Sequence, residues 1–201
     1  MKINFPLPTD GQYHQYCEKC HSESIHRIFE KEKTFYLCEH CGYKSPRLIV
    51  IDPKIVWWID EKTKEYWHES VGIFVFNKSG KALFFERIIY PFALTIPAGH
   101  LDIGEDVETA IRRELKEEAG LKIDVVNLFA EEDVNGDQCR RGADIHKWHL
   151  YTAEIASVGD IKINDEGIQP VWLSLEEALR KDLVYPVRHF IEKYGQTLFE
   201  K

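Results

Sequence analysis

Residues 99–121 read Gly99-His-Leu-Asp-Ile-Gly104-Glu105-Asp-Val-Glu108-Thr-Ala-Ile-Arg112-Arg113-Glu114-Leu115-Lys116-Glu117-Glu118-Ala119-Gly120-Leu121. Val107, Ala110, Ile111 and Leu115 recur at helical spacing, and Gly120 stands where a helix C-terminus favours glycine, so the pattern predicts a helix over Val107–Ala119. On that helix Glu114, Glu117 and Glu118 fall at i, i+3 and i+4, which puts their Cβ atoms within about 5–6 Å on one face. The apolar residues take the opposite face and dock the helix. Three carboxylates so close repel one another unless a cation lies between them, and oxygen ligands at this density favour Mg²⁺ or Mn²⁺. On charge alone a second reading stands: residues 105–118 hold six acids and three bases, and a mixed-charge helix face is usually simply solvated.

On either side of this helix the chain alternates strands with a few helices. Strands are expected at Arg47–Ile51, Ile55–Ile59 and Glu69–Phe76, then at Ala82–Ile89 after the turn Asn77-Lys78-Ser79-Gly80. In Val71–Phe76 and Ala82–Phe85 apolar residues occupy both faces, as in strands covered on two sides. Further strands are expected near Leu121–Ala130, Ile145–Ile155 and Gln169–Leu173, with helices at Leu175–Asp182 and Pro186–Tyr194. This order suggests an α+β protein with a sheet sandwiched between helices.

The first fifty residues differ in kind. They hold four of the five cysteines, spaced Cys17-x2-Cys20-x17-Cys38-x2-Cys41, and seven Lys/Arg against six Asp/Glu. Two cysteine knuckles flank a hairpin formed by Ser24–Glu30 and Thr34–Leu37, a piece too small to bury a core of its own. Four thiolates in this pattern complete a tetrahedral Zn²⁺ sphere with no open position, which implies a structural role; the competing reading is a pair of disulfides. The expected division is a zinc ribbon over 1–48 and a larger domain over 49–201. Cys139 stands apart and reads as an ordinary thiol. With no basic excess in the ribbon, scaffolding or contact with a second copy of the chain is favoured over nucleic acid.

The 201 residues carry 26 Lys+Arg against 34 Asp+Glu, a net charge of −8. Phosphate backbones are held by clustered positive charge, so a nucleic-acid-coating surface is disfavoured, although bound metal ions let an acidic protein act on small phosphates. No run of apolar residues reaches the length of a membrane span, and residues 1–10 lack the apolar region of a signal peptide. The expectation is a cytoplasmic protein with no membrane partner.

The spacing Gly99-x5-Glu105-x7-Arg113-Glu114-Leu115-x-Glu117-Glu118-x-Gly120-Leu121 matches the signature of the Nudix hydrolases without gap or substitution, and the chain resembles that family from about residue 50 to its end. The resemblance implies an α/β/α sandwich with a mixed sheet. It also implies Mg²⁺- or Mn²⁺-dependent hydrolysis of a diphosphate linkage in a nucleoside diphosphate joined to another group. By the same resemblance, Glu114 and Glu118 hold the metal with Glu117 and the Gly99 carbonyl, while Arg113 and Glu105 brace the helix against the preceding loop. Glu117 and Glu166 are the two candidates for the base that takes a proton from water. Arg87 resembles a phosphate-contacting arginine of many relatives. A zinc ribbon before such a domain is similar to the arrangement of NAD(H) pyrophosphatases, yet their Ser-Gln-Pro-Trp-Pro-Phe-Pro stretch has no counterpart in Asn127–Asp144. That region instead offers Arg140 and Arg141 for anion contacts, and Trp148 either for stacking or as a core residue. The rival reading is an inactive module that keeps the fold and senses a nucleotide.

Overall fold

The computed structural model describes residues 1–156 and 161–200. The amino-terminal part contains β1 (His14–Tyr16), β2 (Ile25–Glu30), β3 (Lys33–Cys38) and β4 (Lys44–Ser45), of which β2, β3 and β4 form a small antiparallel sheet. Next comes β5 (Ile49–Ile51), which pairs back onto β1. The first segment is thereby tied to the strand that leads into the rest of the molecule.

The remaining strands are β6 (Trp57–Ile59), β7 (Tyr66–Phe76), β8 (Ala82–Arg87), β9 (Leu94–Thr95), β10 (Ala98–His100), β11 (Asn127–Asn135), β12 (Ile145–Glu154) and β13 (Gly167–Leu173). They build one mixed sheet in the order β11-β12-β7-β8-β13, with β6 and β10 also on β7 and β9 on β8. Strands β12 and β7 run parallel, and the other pairs are antiparallel.

Successive side chains of a strand point to opposite faces, and β7 is buried on both. Val71, Ile73 and Val75 pack with Ala110, Ile111, Leu115 and Ala119 of α1 (Val107–Ala119). Phe74 and Phe76 meet Val187, Phe190, Ile191 and Leu198 of α3 (Tyr185–Phe199) on the other side. A short α2 (Leu175–Leu179) precedes α3. The result is the expected helix/sheet/helix sandwich. Among the described residues no helix is long and apolar enough to cross a membrane.

The central helix begins and ends where the sequence predicts. Asp106 caps it by accepting from the backbone N–H groups of Glu108 and Thr109, and Gly120 closes it at φ 68°, a conformation that costs glycine little. Elsewhere the boundaries move. The strand expected near Leu121–Ala130 lies instead at Asn127–Asn135, because Leu121, Ile123 and Val126 pack beside the helix α1 core without joining a ladder. The predicted Leu175–Asp182 helix stops at Leu179, whereas the last helix runs to Phe199 and buries Leu198.

Candidate active site

Helix α1 lays its acidic face against β10. Gly99 sits there for a steric reason: a Cβ on it would stand 2.0 Å from Glu114 Oε1 and 2.4 Å from Oε2. Glycine alone lets that carboxylate lie on the backbone. Glu118 is 5% exposed, and its Oε2 accepts from the Ala98 N–H at 2.8 Å. Burial pushes the Glu118 carboxyl up to about 8 against the pull of Arg87, and pushes Glu114 up to about 7 against the pull of Arg113. Glu117 stays out in solvent, 57% exposed, with Oε2 3.4 Å from Arg113 Nη1. The helix therefore presents one buried acid, one largely covered and one open to the same cleft.

Arg113 ties this face together. Its Nη2 donates to Glu105 Oε2 at 2.9 Å and to the His100 carbonyl at 3.1 Å, while Nη1 donates to Glu114 Oε1 at 2.6 Å. The loop before helix α1 and the strand before that loop are thus held by one planar guanidinium, whose several fixed donors suit such a junction.

The cleft of about 310 Å³ that these acids line is also lined by Arg87, Arg140, Arg141 and Glu166. Arg87 ends β8, and its Nε is buried without a hydrogen-bond partner. Arg140 Nη1 donates to the Tyr36 hydroxyl at 3.0 Å, and its Nη2 lies 4.0 Å from Glu166 Oε1. Arg141 Nη1 is 2.5 Å from Asp52 Oδ2. Glu166, 41% exposed, belongs to a turn hung from the end of α1 by the Asn164 N–H on the Glu118 carbonyl at 3.2 Å.

Packing bears on the two readings of Trp148. Trp148 touches the cleft, but it is 6% exposed, its ring meets Phe190 at 5.6 Å between centroids, and its Nε1 donates to Asp137 at 2.7 Å. A Cβ on Gly72 would lie 2.5 Å from Trp148 Cζ3. The indole fills the space over that glycine as core, and so offers no open face for stacking.

Two features escape sequence reading. Tyr36, on β3 of the amino-terminal sheet, reaches into this site through Arg140. Cys139, expected to be isolated, lies with His68, His100 and His146 in a group whose ligand atoms are all within 4.8 Å of one another. These four come from separate segments with no common spacing, so no local pattern could reveal them. In the amino-terminal part Cys17, Cys20, Cys38 and Cys41 converge in the same way, with Cys17 Sγ 3.7 Å from Cys41 Sγ and Cys20 Sγ 3.6 Å from Cys38 Sγ. Those separations are far longer than the roughly 2.0 Å of a disulfide.

Comparison with known proteins agrees with this architecture. A family model, the NUDIX domain, matches residues 66–194. Over 61 residues the chain is 39% identical to Nudix hydrolase 26, chloroplastic, of Arabidopsis thaliana, covering 30% of this chain and 28% of that protein. Over 56 residues it is 39% identical to an RNA pyrophosphohydrolase of Rhodospirillum rubrum, covering 28% of this chain and 34% of the relative. The chain thus spans about a third or less of these two relatives. It is 28% identical over 114 residues to the nucleoside triphosphatase NudI of Salmonella newport, covering 54% of this chain and 81% of that one. Among solved structures, a MutT protein from Methanosarcina mazei Go1 superposes with a TM-score of 0.58 at 20% identity, over 68% of this chain and 99% of that chain. The NUDIX domain of Shewanella oneidensis NrtR, crystallised with ADP ribose, gives 0.57 at 21%, over 69% and 93%. At these identities the structural likeness concerns the fold alone. The family match runs from β7 into α3 and contains the whole acidic helix, and with the sandwich around it this chain belongs to the Nudix family.

Proposed function

We propose that this protein is a hydrolase that cleaves the diphosphate linkage of a nucleoside diphosphate joined to another group. The observation that carries the reading is the pair of carboxylates at the wall of the cleft, Glu114 lying on Gly99 and the buried Glu118 accepting from the Ala98 N–H. Burial pushes these carboxyls up to about 7 and about 8 even with Arg113 on Glu114 and Arg87 near Glu118, and hard oxygen donors crowded in this way fit Mg²⁺ or Mn²⁺. Glu114, Glu117, Glu118 and the Gly99 carbonyl would hold it. A divalent ion bound there supplies positive field at the diphosphate oxygens and an acidified water.

The chain's own residues account for the rest. Arg87 and Arg140, which line the same cleft, receive the phosphate oxygens. Arg141, partly neutralised by Asp52, adds charge at longer range. Arg113 keeps Glu114 and the His100 carbonyl in place. Glu117 and Glu166 are exposed enough to take up a proton and release it to solvent, and either can serve as the base. A cleft of about 310 Å³ lies within the usual range of small-molecule sites.

Zn²⁺ in the four-cysteine cluster has a structural role in this reading, with a ribbon over 1–48 and the hydrolase domain over 49–201. Thiols available for a metal require a reducing compartment, which supports the cytoplasm. The decisive test is product release with Mg²⁺ from NADH, ADP-ribose, dinucleoside polyphosphates, sugar nucleotides and oxidised nucleoside triphosphates. Turnover of a diphosphate-linked compound is expected; tight binding across the panel without turnover would instead identify a nucleotide sensor.

A further inference from the structure

The mixed sheet collects three histidines on one face at the end of its central strand. In the parallel pair of β7 and β12, His68 and His146 are register partners. In the antiparallel pair of β7 and β10, His100 is the partner of Ser70, two residues along β7 from His68 and hence on the same face. The loop between β11 and β12 then brings Cys139 over them. His68 Nδ1 lies 3.0 Å from His100 Nε2 and 3.6 Å from Cys139 Sγ. His68 is fully buried and His146 is 2% exposed.

Ordinary core packing does not account for this grouping. Each neutral imidazole has one N–H to give, and the His68 ring finds polar partners only inside the cluster, since its Nε2 is buried with no hydrogen bond. The separations resemble those of ligands around one ion. Tetrahedral Zn²⁺ with bonds of about 2.0–2.1 Å to nitrogen and about 2.3 Å to sulfur sets neighbouring ligands about 3.3 Å apart for N···N and about 3.6 Å for N···S. The same geometry gives about 3.8 Å for S···S, close to the 3.7 and 3.6 Å of the amino-terminal cysteines. Asp137 adds the outer support that metal-bound histidines usually have. Its Oδ2 stands 3.1 Å from His146 Nδ1 and accepts from the Trp148 indole, and the side chain is 7% exposed.

We propose that His68, His100, Cys139 and His146 form a second zinc-class metal site, distinct from the four-cysteine cluster and sharing no ligand side chain with the acidic face of α1. Three imidazoles and a thiolate select Zn²⁺ or a similar borderline-soft ion over Mg²⁺. Four protein ligands leave no open position, so the ion is structural. It pins the loop that carries Arg140 and Arg141 to the sheet edge that carries Gly99.

The test is made on the full chain, purified with Zn²⁺ and held in excess Mg²⁺ to compete for the acidic cleft, by metal analysis and zinc X-ray absorption. With both structural sites filled, two zinc per chain are expected. The average shell would then contain about 2.5 sulfur and about 1.5 nitrogen ligands, with imidazole ring scattering. The variant Cys139→Ala/His146→Ala should lose one equivalent and the ring signal, leaving an all-sulfur shell. An all-sulfur shell in the unaltered protein would overturn the proposal at any stoichiometry and whether or not the variant folds. So would an unchanged ring signal in a folded variant.

Discussion

Two carboxylates in this cleft carry more free energy than their exposed neighbours. Glu118 is buried and Glu114 largely covered against backbone, and each has its folded-state pKa raised, to about 8 and about 7, above the roughly 4.3 of a free glutamate. Between those limits the folded chain holds more protons than the unfolded chain, so without metal their contribution to stability is fully present below about pH 4.3 and is lost as pH rises through about 8. A divalent ion relieves that loss. The Mg²⁺-induced rise in Tm should therefore be larger at pH 8.5 than at pH 6, and an equal rise at both, measured by calorimetry, would contradict the assignment. Glu118→Gln removes the charge without changing the shape. Turnover should fall by two or more orders of magnitude while the metal-free Tm at pH 8 stays level or rises, which steady-state kinetics and thermal melts would read together.

Strands and helices act on the site through a few junctions. Tyr36, on β3, holds Arg140 by its hydroxyl at 3.0 Å. Tyr36→Phe leaves the ring and removes that bond. A neutral–charged hydrogen bond of this kind contributes about 1.5–3 kcal/mol when both partners are well placed, and part of that should appear as a several-fold rise in KM with kcat little changed. A proportional fall in kcat would mean that Arg140 acts on the reacting bond and not on affinity. Helix α1 depends on its cap in the same local way: Asp106→Ala should cost about 1 kcal/mol, seen as a lowered midpoint in urea with unchanged slope.

Across the whole molecule, the amino-terminal cysteine unit is joined to the elements around the candidate cleft by backbone hydrogen bonds and ring packing. Leu48 and Val50 donate their N–H groups to the Arg140 and Arg141 carbonyls, and the Thr34 N–H bonds the Ile88 carbonyl beside Arg87. Phe35 packs against Phe92 at 5.6 Å between ring centroids. With zinc in the four-cysteine unit, as proposed, its loss should then reach the substrate. Cys17→Ser is expected to open the first fifty residues to limited proteolysis and to weaken substrate affinity, with the sandwich of β7, α1 and α3 still folded by circular dichroism. Retention of full affinity in the proteolysed protein would show the two parts to be independent.

The sequence by itself determined the acidic helix and its closing glycine, the two-sided burial of β7 and the four-cysteine unit. In each case the signal is local: i, i+3, i+4 spacing places Glu114, Glu117 and Glu118 on one face whatever the surroundings, and Cys-x2-Cys knuckles turn two sulfurs the same way. Only the tertiary structure decided that Trp148 is core, because that depends on the bare backbone of Gly72 on the neighbouring strand. It alone joined Tyr36 to Arg140 across 104 residues and gathered His68, His100, Cys139 and His146. Strand register brings such residues together, and register is set by which strands pair, a choice made by the burial of the whole sheet and not by any one segment.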